Sequence, residues 1–105
     1  KGYDHPFVID GWQPNILGEV GELREKGSGR CVKILSSQPS VMVYTGNWLD
    51  DAQAKDGASY TPRCGFAFEP EYYPDAVHHP AWDQPVCTPN APYRERIVYR
   101  FSTTR

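Results

Sequence analysis

An all-β architecture is what this sequence predicts, and three observations carry it. Ten prolines and nine glycines in 105 residues interrupt the chain too often for long helices. Short apolar, β-branched or aromatic runs recur along it, each bounded by turn-forming residues. A helical period is visible in one segment alone, residues 14–26, "PNILGEVGELREK", and Gly18 and Gly21 weaken it.

In chain order, "FVI" (7–9) lies between Pro6 and Asp10-Gly11 and reads as a short strand. The helix candidate 14–26 follows. "RCVKILSS" (30–37) alternates, with Cys31, Lys33 and Leu35 on one face and Val32 and Ile34 on the other. "SVMVYT" (40–45) is an apolar, β-branched run typical of a buried strand. "GFAFE" (65–69) is another short run. In "YRERIVYRFS" (93–102), Ile97, Tyr99 and Phe101 share one face and Arg96, Arg100 and Ser102 the other, which predicts a half-buried strand with a basic outer side. Polar residues 49–63 and the four-proline segment 69–85 are loops. The second is rich in Tyr72, Tyr73, His78, His79 and Trp82, and aromatics argue against disorder there. Hydrophobic content of 39% is low for a self-sufficient core, so the expected architecture is part of a sandwich that needs further chain.

Composition excludes several function classes. A net charge of -2 with scattered Lys and Arg gives no nucleic-acid footprint. No apolar run approaches the roughly 20 residues that span a bilayer, so neither nucleic acid nor membrane is an expected partner. Cys31, Cys64 and Cys87 are odd in number and widely spaced, which fits neither a disulfide framework nor a zinc site. They are read as buried free thiols in a reducing compartment, and with no targeting signal visible the expected location is cytoplasmic.

Three places carry possible chemistry. In "YDHPF" (3–7), Asp4 either caps a turn or accepts hydrogen bonds from ligand hydroxyls at a site mouth, with His5 a surface residue. In "YTGNWLDD" (44–51), Gly46-Asn47 signals a turn, and Trp48 either packs on the core or offers a stacking platform to a sugar. In "GFAFEPEYYPDAVHHP" (65–80), Glu69 follows an apolar run. It is either a solvated strand end or a held carboxylate, and a carboxylate in a partly apolar pocket gains the proton affinity a general base needs near neutral pH. Adjacent His78 and His79 seldom face one ion, and no other ligand lies at a supporting spacing, so no metal is expected.

Taken together, these segments resemble the aldose 1-epimerases, or galactose mutarotases. "YDHPFVID" looks like the family's Asp-His-x-Phe motif, and "VYTGNWLDD" its Tyr-Thr-Gly-Asn-Phe-Leu-Asp run. "YTPRCGFAFEPEYYPDAVHHPAWDQPV" resembles its Arg-x-Gly-Phe…Glu-x-Gln…Phe-Pro-Asp segment, and "TPNAPYRERIVYRFS" its closing strand, in the family's order. The resemblance covers only the C-terminal third or so of that family's domain. It implies that residues 1–105 are the C-terminal segment of one domain, part of an antiparallel β-supersandwich whose N-terminal part is a required partner.

It further implies an isomerase that interconverts the α and β anomers of hexoses such as galactose and glucose without a cofactor. Glu69 matches the catalytic base and Asp4 a substrate contact, while the family's general-acid histidine lies upstream and matches none of His5, His78 or His79. A catalytically silent sugar-binding relative is the alternative. A hexose-phosphate substrate is disfavoured by the lack of a basic cluster.

Three departures stand out. Met42 replaces a Gln that can touch the sugar. Glu71 replaces a Gln beyond the base, and either couples to Glu69 or points to solvent. Asn90 replaces a Gly, a position where Asn also accepts left-handed geometry.

Overall fold

The computed structural model describes residues 2–104. Its six strands form two three-stranded antiparallel sheets, and the only helical pieces among the described residues are 3-10 turns at Lys55–Gly57 and Ala76–His78. The first sheet orders β1 (Asp4–Val8), β4 (Ser40–Tyr44) and β5 (Ala67–Glu71) as β1-β4-β5. The second orders β2 (Gly18–Arg24), β3 (Arg30–Ser36) and β6 (Ile97–Thr103) as β2-β3-β6. The all-β class is therefore correct, and no helix among the described residues is long and apolar enough to cross a membrane.

The helix expected over 14–26 does not form; this segment is β2. It pairs with β3 from Gly18↔Ser36 to Arg24↔Cys31, with an irregularity between Glu19 and Gly21. The glycines explain the outcome: they disfavour a helix, and at Gly21 a Cβ would sit 3.1 Å from the Phe68 ring of the other sheet. The turn out of β2 is held by Glu25. Its carboxylate accepts the backbone N–H groups of Gly27 and Ser28, each at 2.6 Å, and Ser28 first, then Gly27, hold that carboxyl down at about 2.

β1 and β5 also differ from expectation. β1 starts at Asp4 rather than Phe7, and β5 runs on through Pro70 to Glu71. Both edges of the first sheet thus carry a proline. Thr45 N–H donates to Tyr3 O and Ile9 N–H to Pro39 O, so by antiparallel alternation the nitrogens of Pro6 and Pro70 face away from β4 and no ladder bond is lost.

The core is small. Cys31, Ile34, Val41, Val43 and Ala76 are its buried hydrophobic residues, joined by a buried polar stretch of Ser36, Ser37, Gln38 and Ser40. Contacts between the sheets are thin: Tyr99 donates its hydroxyl to Phe68 O at 3.3 Å, and Trp12 Nε1 donates to Ser37 O at 2.7 Å. A cavity of about 520 Å³ remains between them, lined by Phe7, Val20, Val41, Val43, Phe66 and Phe68 among others. The β6 face expected to pack is correspondingly open, with Phe101 80% exposed. Of the three free cysteines only Cys31 is buried; Cys64 and Cys87 are exposed, contrary to their reading as buried thiols.

Candidate active site

The register of the first sheet decides what shares a face. Asp4 pairs with Tyr44 and Tyr44 with Ala67; one step along, Pro6 pairs with Met42 and Met42 with Glu69; next come Val8, Ser40 and Glu71. Residues directly opposite point the same way, and side chains alternate along each strand. Asp4, Met42, Tyr44, Glu69 and Glu71 therefore project from one face, while Phe7, Val41, Val43 and Phe68 project from the other toward the second sheet. Two strand spacings and one two-residue step separate Asp4 from Glu69, roughly 12 Å between Cα atoms. Glu69 and Asp4 are both exposed.

Glu69 is a mid-strand residue, not a strand end, because the ladder continues to Glu71. Asp4 caps no turn. The segment ahead of it is clasped by the turn after β4: Tyr3 N–H donates to Thr45 Oγ1 at 2.8 Å, and Asn47 Nδ2 donates to Tyr3 O at 3.0 Å. Gly46 makes the turn at φ +66, where a Cβ would meet Gly65 O at 2.7 Å. Trp48 N–H donates to the Tyr44 hydroxyl at 2.9 Å. Thr45 and Asn47 thus hold the chain just ahead of Asp4; the sequence reading marks the Gly46-Asn47 turn but gives neither side chain this task. The indole of Trp48 is 82% exposed and does not pack on the core.

Glu71 is half-buried and does not simply point to solvent: its Oε1 is shut off from water and has no hydrogen-bond partner among the described residues. Burial first, then the charge of Glu69, push its carboxyl above the ordinary carboxylate range. Just beyond it, Tyr72 donates its hydroxyl to Glu95 Oε1 at 2.9 Å, and Ser37 donates to the other Glu95 oxygen. Burial and that carboxylate push Tyr72 up to about 12. Tyr93, raised by burial, accepts a hydrogen bond from Gln38 Nε2 at 2.6 Å. This cluster ties the end of β5 to the β3–β4 connection and to the approach to β6.

The histidines stand apart from the three carboxylates of the face, Asp4, Glu69 and Glu71. His5 lies on the opposite face of β1 and its Nδ1 accepts the Asp4 N–H at 3.1 Å. His78 and His79 both turn to Asp75, His78 through Nδ1 and His79 through Nε2 at 3.5 Å. The His79 ring stacks on Trp82 with centroids 4.0 Å apart. No group of three or more His, Cys, Asp or Glu among the described residues could hold a metal ion. Asn90 does not adopt positive φ, so left-handed geometry is not what its position requires.

Chemically, the face offers one strand-held carboxylate able to take a proton and another able to accept hydroxyl hydrogen bonds, with the gap between them open. No histidine stands among the face residues of β1, β4 and β5.

The family described as aldose 1-epimerase matches residues 1–100. A galactose mutarotase of Bos taurus is 33% identical over 103 residues, which is 97% of this chain and 30% of that protein. The Homo sapiens galactose mutarotase is 32% identical over the same length and shares. The aldose 1-epimerase of Escherichia coli (strain K12) is 31% identical over 105 residues, 96% of this chain and 30% of its own. The chain thus spans about 30% of the length of the curated relatives it matches. With the match running almost end to end, the chain belongs to the aldose 1-epimerase family.

Proposed function

We propose that the full-length protein carrying this chain is an aldose 1-epimerase acting on free hexoses such as galactose or glucose, with this chain as the C-terminal segment of its domain. The observation that carries the reading is the register that sets Asp4 and Glu69 on one face of one sheet. Asp4 accepts hydrogen bonds from sugar hydroxyls, which charge assistance strengthens and which fix the ring's orientation. Glu69 takes the proton from the anomeric hydroxyl. The electron pair of that O–H bond forms the carbonyl, the bond from C1 to the ring oxygen breaks, and the ring oxygen receives a proton from an acid supplied by the rest of the domain. Rotation about C1–C2 and the reverse proton transfers give the other anomer. A carboxylate suits the part of base and an imidazole that of acid because each, held within hydrogen-bond reach, can pass a proton to or from the oxygen it faces. The balance sheet of the reaction is closed by acid and base alone, with nothing oxidised or reduced.

Polarimetry tests it. Freshly dissolved α-galactose or α-glucose should relax faster with the full-length protein, and Glu69→Gln should remove nearly all of that acceleration, on the order of 10²–10⁴-fold, with the fold kept. Most of the rate surviving in Glu69→Gln would show that Glu69 is not the base.

A second reading, a sugar-binding protein without turnover, is favoured by Met42. It stands between Pro6 and Glu69 in the central row of the face and neither donates nor accepts hydrogen bonds well. Calorimetric binding of galactose without accelerated relaxation would select that reading.

A further inference from the structure

β5 carries two carboxylates on one face. Glu69 and Glu71 are two residues apart, so both project to the side that holds Asp4. Their surroundings differ. Glu69 is exposed, whereas Glu71 is half-buried with Oε1 shut off from water and without a donor among the described residues. A carboxylate oxygen in that position is costly as an anion and far less so as a neutral acid.

The groups facing Glu71 do not relieve the cost. Across the face β4 presents Ser40 and Met42, and β1 presents Val8 and Pro6, none of them ionisable; the one phenol of the face, Tyr44, stands two rows away beside Asp4. Ser40 donates its hydroxyl to the backbone carbonyl of Glu71 at 2.8 Å, not to its side chain. Asp4 adds negative charge at the far end, and no Lys or Arg occupies a position on this face of the three strands. Beyond the strand, Tyr72 gives its hydroxyl to Glu95. Burial and the neighbouring Glu69 accordingly raise the Glu71 carboxyl.

We propose that Glu71 is a positioning residue acting through Glu69: it takes the first proton the pair binds, and so leaves Glu69 ionised to serve as base. The inference rests on the reading of Glu69 as the base of an aldose 1-epimerase. Two interacting carboxylates titrate in two macroscopic steps. Protonating Glu71 removes a negative neighbour and weakens Glu69 as a base while leaving it competent; protonating Glu69 ends turnover. The acid side of the rate profile therefore falls in two steps.

The test is the pH dependence of kcat/KM for the full-length protein on galactose or glucose, together with a carboxyl-carbon NMR titration of the same protein labelled at glutamate. Wild type should show two ionisations on the acid limb. Glu71→Gln, which puts a neutral amide where the neutral acid stood, should show one, and Glu71→Asp should restore the second. The carboxyl resonance lost in Glu71→Gln should titrate above the ordinary glutamate range. A Glu71→Gln profile that keeps both ionisations would overturn the proposal, and so would a Glu71 carboxyl titrating in or below that range. Should Glu71→Gln not fold, the wild-type carboxyl titration and the Glu71→Asp profile decide alone. A wild type that accelerates no aldose while its Glu71 carboxyl titrates high would sink the epimerase reading and, with it, the role through Glu69; a turning-over wild type with one ionisation sinks only the role of Glu71.

Discussion

At the scale of single residues, the roles proposed for Asp4 and Glu69 differ, and mutations should separate them. Asp4 makes no side-chain hydrogen bond or ion pair within the described chain and sits on a strand whose entry is clasped by Thr45 and Asn47. Removing hydrogen bonds to a charged group costs about 1.5–3 kcal/mol, so Asp4→Ala in the full-length protein should lower kcat/KM by roughly 10–100-fold. The loss should appear mainly in KM, because hydroxyl contacts hold substrate and transition state alike; steady-state kinetics on galactose and glucose will tell. A loss confined to kcat would place Asp4 in the proton transfers instead. Asp4 and Glu69 were legible as candidates alone: the local runs left each with a structural reading beside the functional one, and the resemblance supplied the roles. Their sharing of a face was not. It depends on β1 pairing with β4 and β4 with β5, a long-range register that no local period encodes. Trp48 stayed open between two readings for a related reason: its exposure depends on what lies above the turn, and the turn residues say nothing about that.

Among elements, strand cores were the readable part and boundaries the weak one. β3 and β4 fell where β-branched and apolar residues concentrate, since a strand buried between two neighbours needs those side chains. β2 falls in the segment 14–26 that was read as the one helix candidate; the cross-strand ladder and the Phe68 ring against Gly21 override a helical propensity that Gly18 and Gly21 already weaken. β5 was cut short at Pro70, although an outward-facing edge position accepts proline. The connection beyond β5 invites a test of its own. Glu95 bridges Ser37 and Tyr72, joining segments that no strand ladder joins. Glu95→Gln exchanges one acceptor for a donor and should cost about 1–3 kcal/mol of stability. It should also lower the titration of Tyr72 part of the way from about 12, because burial, the larger cause, persists. The sign follows from linkage. A raised phenol favours the fold below its ordinary value, roughly 10, and that contribution is lost as pH rises through 12. The alkaline decline in stability should therefore be shallower in the variant. Phenolate absorbance and denaturation at several alkaline pH values measure both effects; an unmoved Tyr72 would mean that Glu95 does not hold its hydroxyl.

For the whole molecule the arithmetic of surface is decisive. A folded monomer of 11.9 kDa is expected to expose roughly 5,900 Å², yet this chain exposes 8001 Å². Its radius of gyration is 16.4 Å, against about 13 Å for a compact domain of this length. The excess has an address: Phe101, Ile97 and Tyr99 of β6, Phe7 and Val8 of β1, and the unfilled 520 Å³ between the sheets. An open cleft of that size leaves the apolar side chains lining it without packing partners, and low hydrophobic content had already pointed to a core that needs more chain. The relatives matched are more than three times as long, and the remainder of such a domain is the expected cover for these surfaces. Residues 1–105 expressed alone should then give poor amide dispersion in NMR spectra, bind a hydrophobic dye, and melt without a cooperative transition. The full-length protein should melt in one transition, and adding the preceding part of the domain as a separate chain should restore dispersion to this one. A sharp, two-state melt of residues 1–105 by themselves would mean that the two sheets close on each other, fill the cavity and need no further chain.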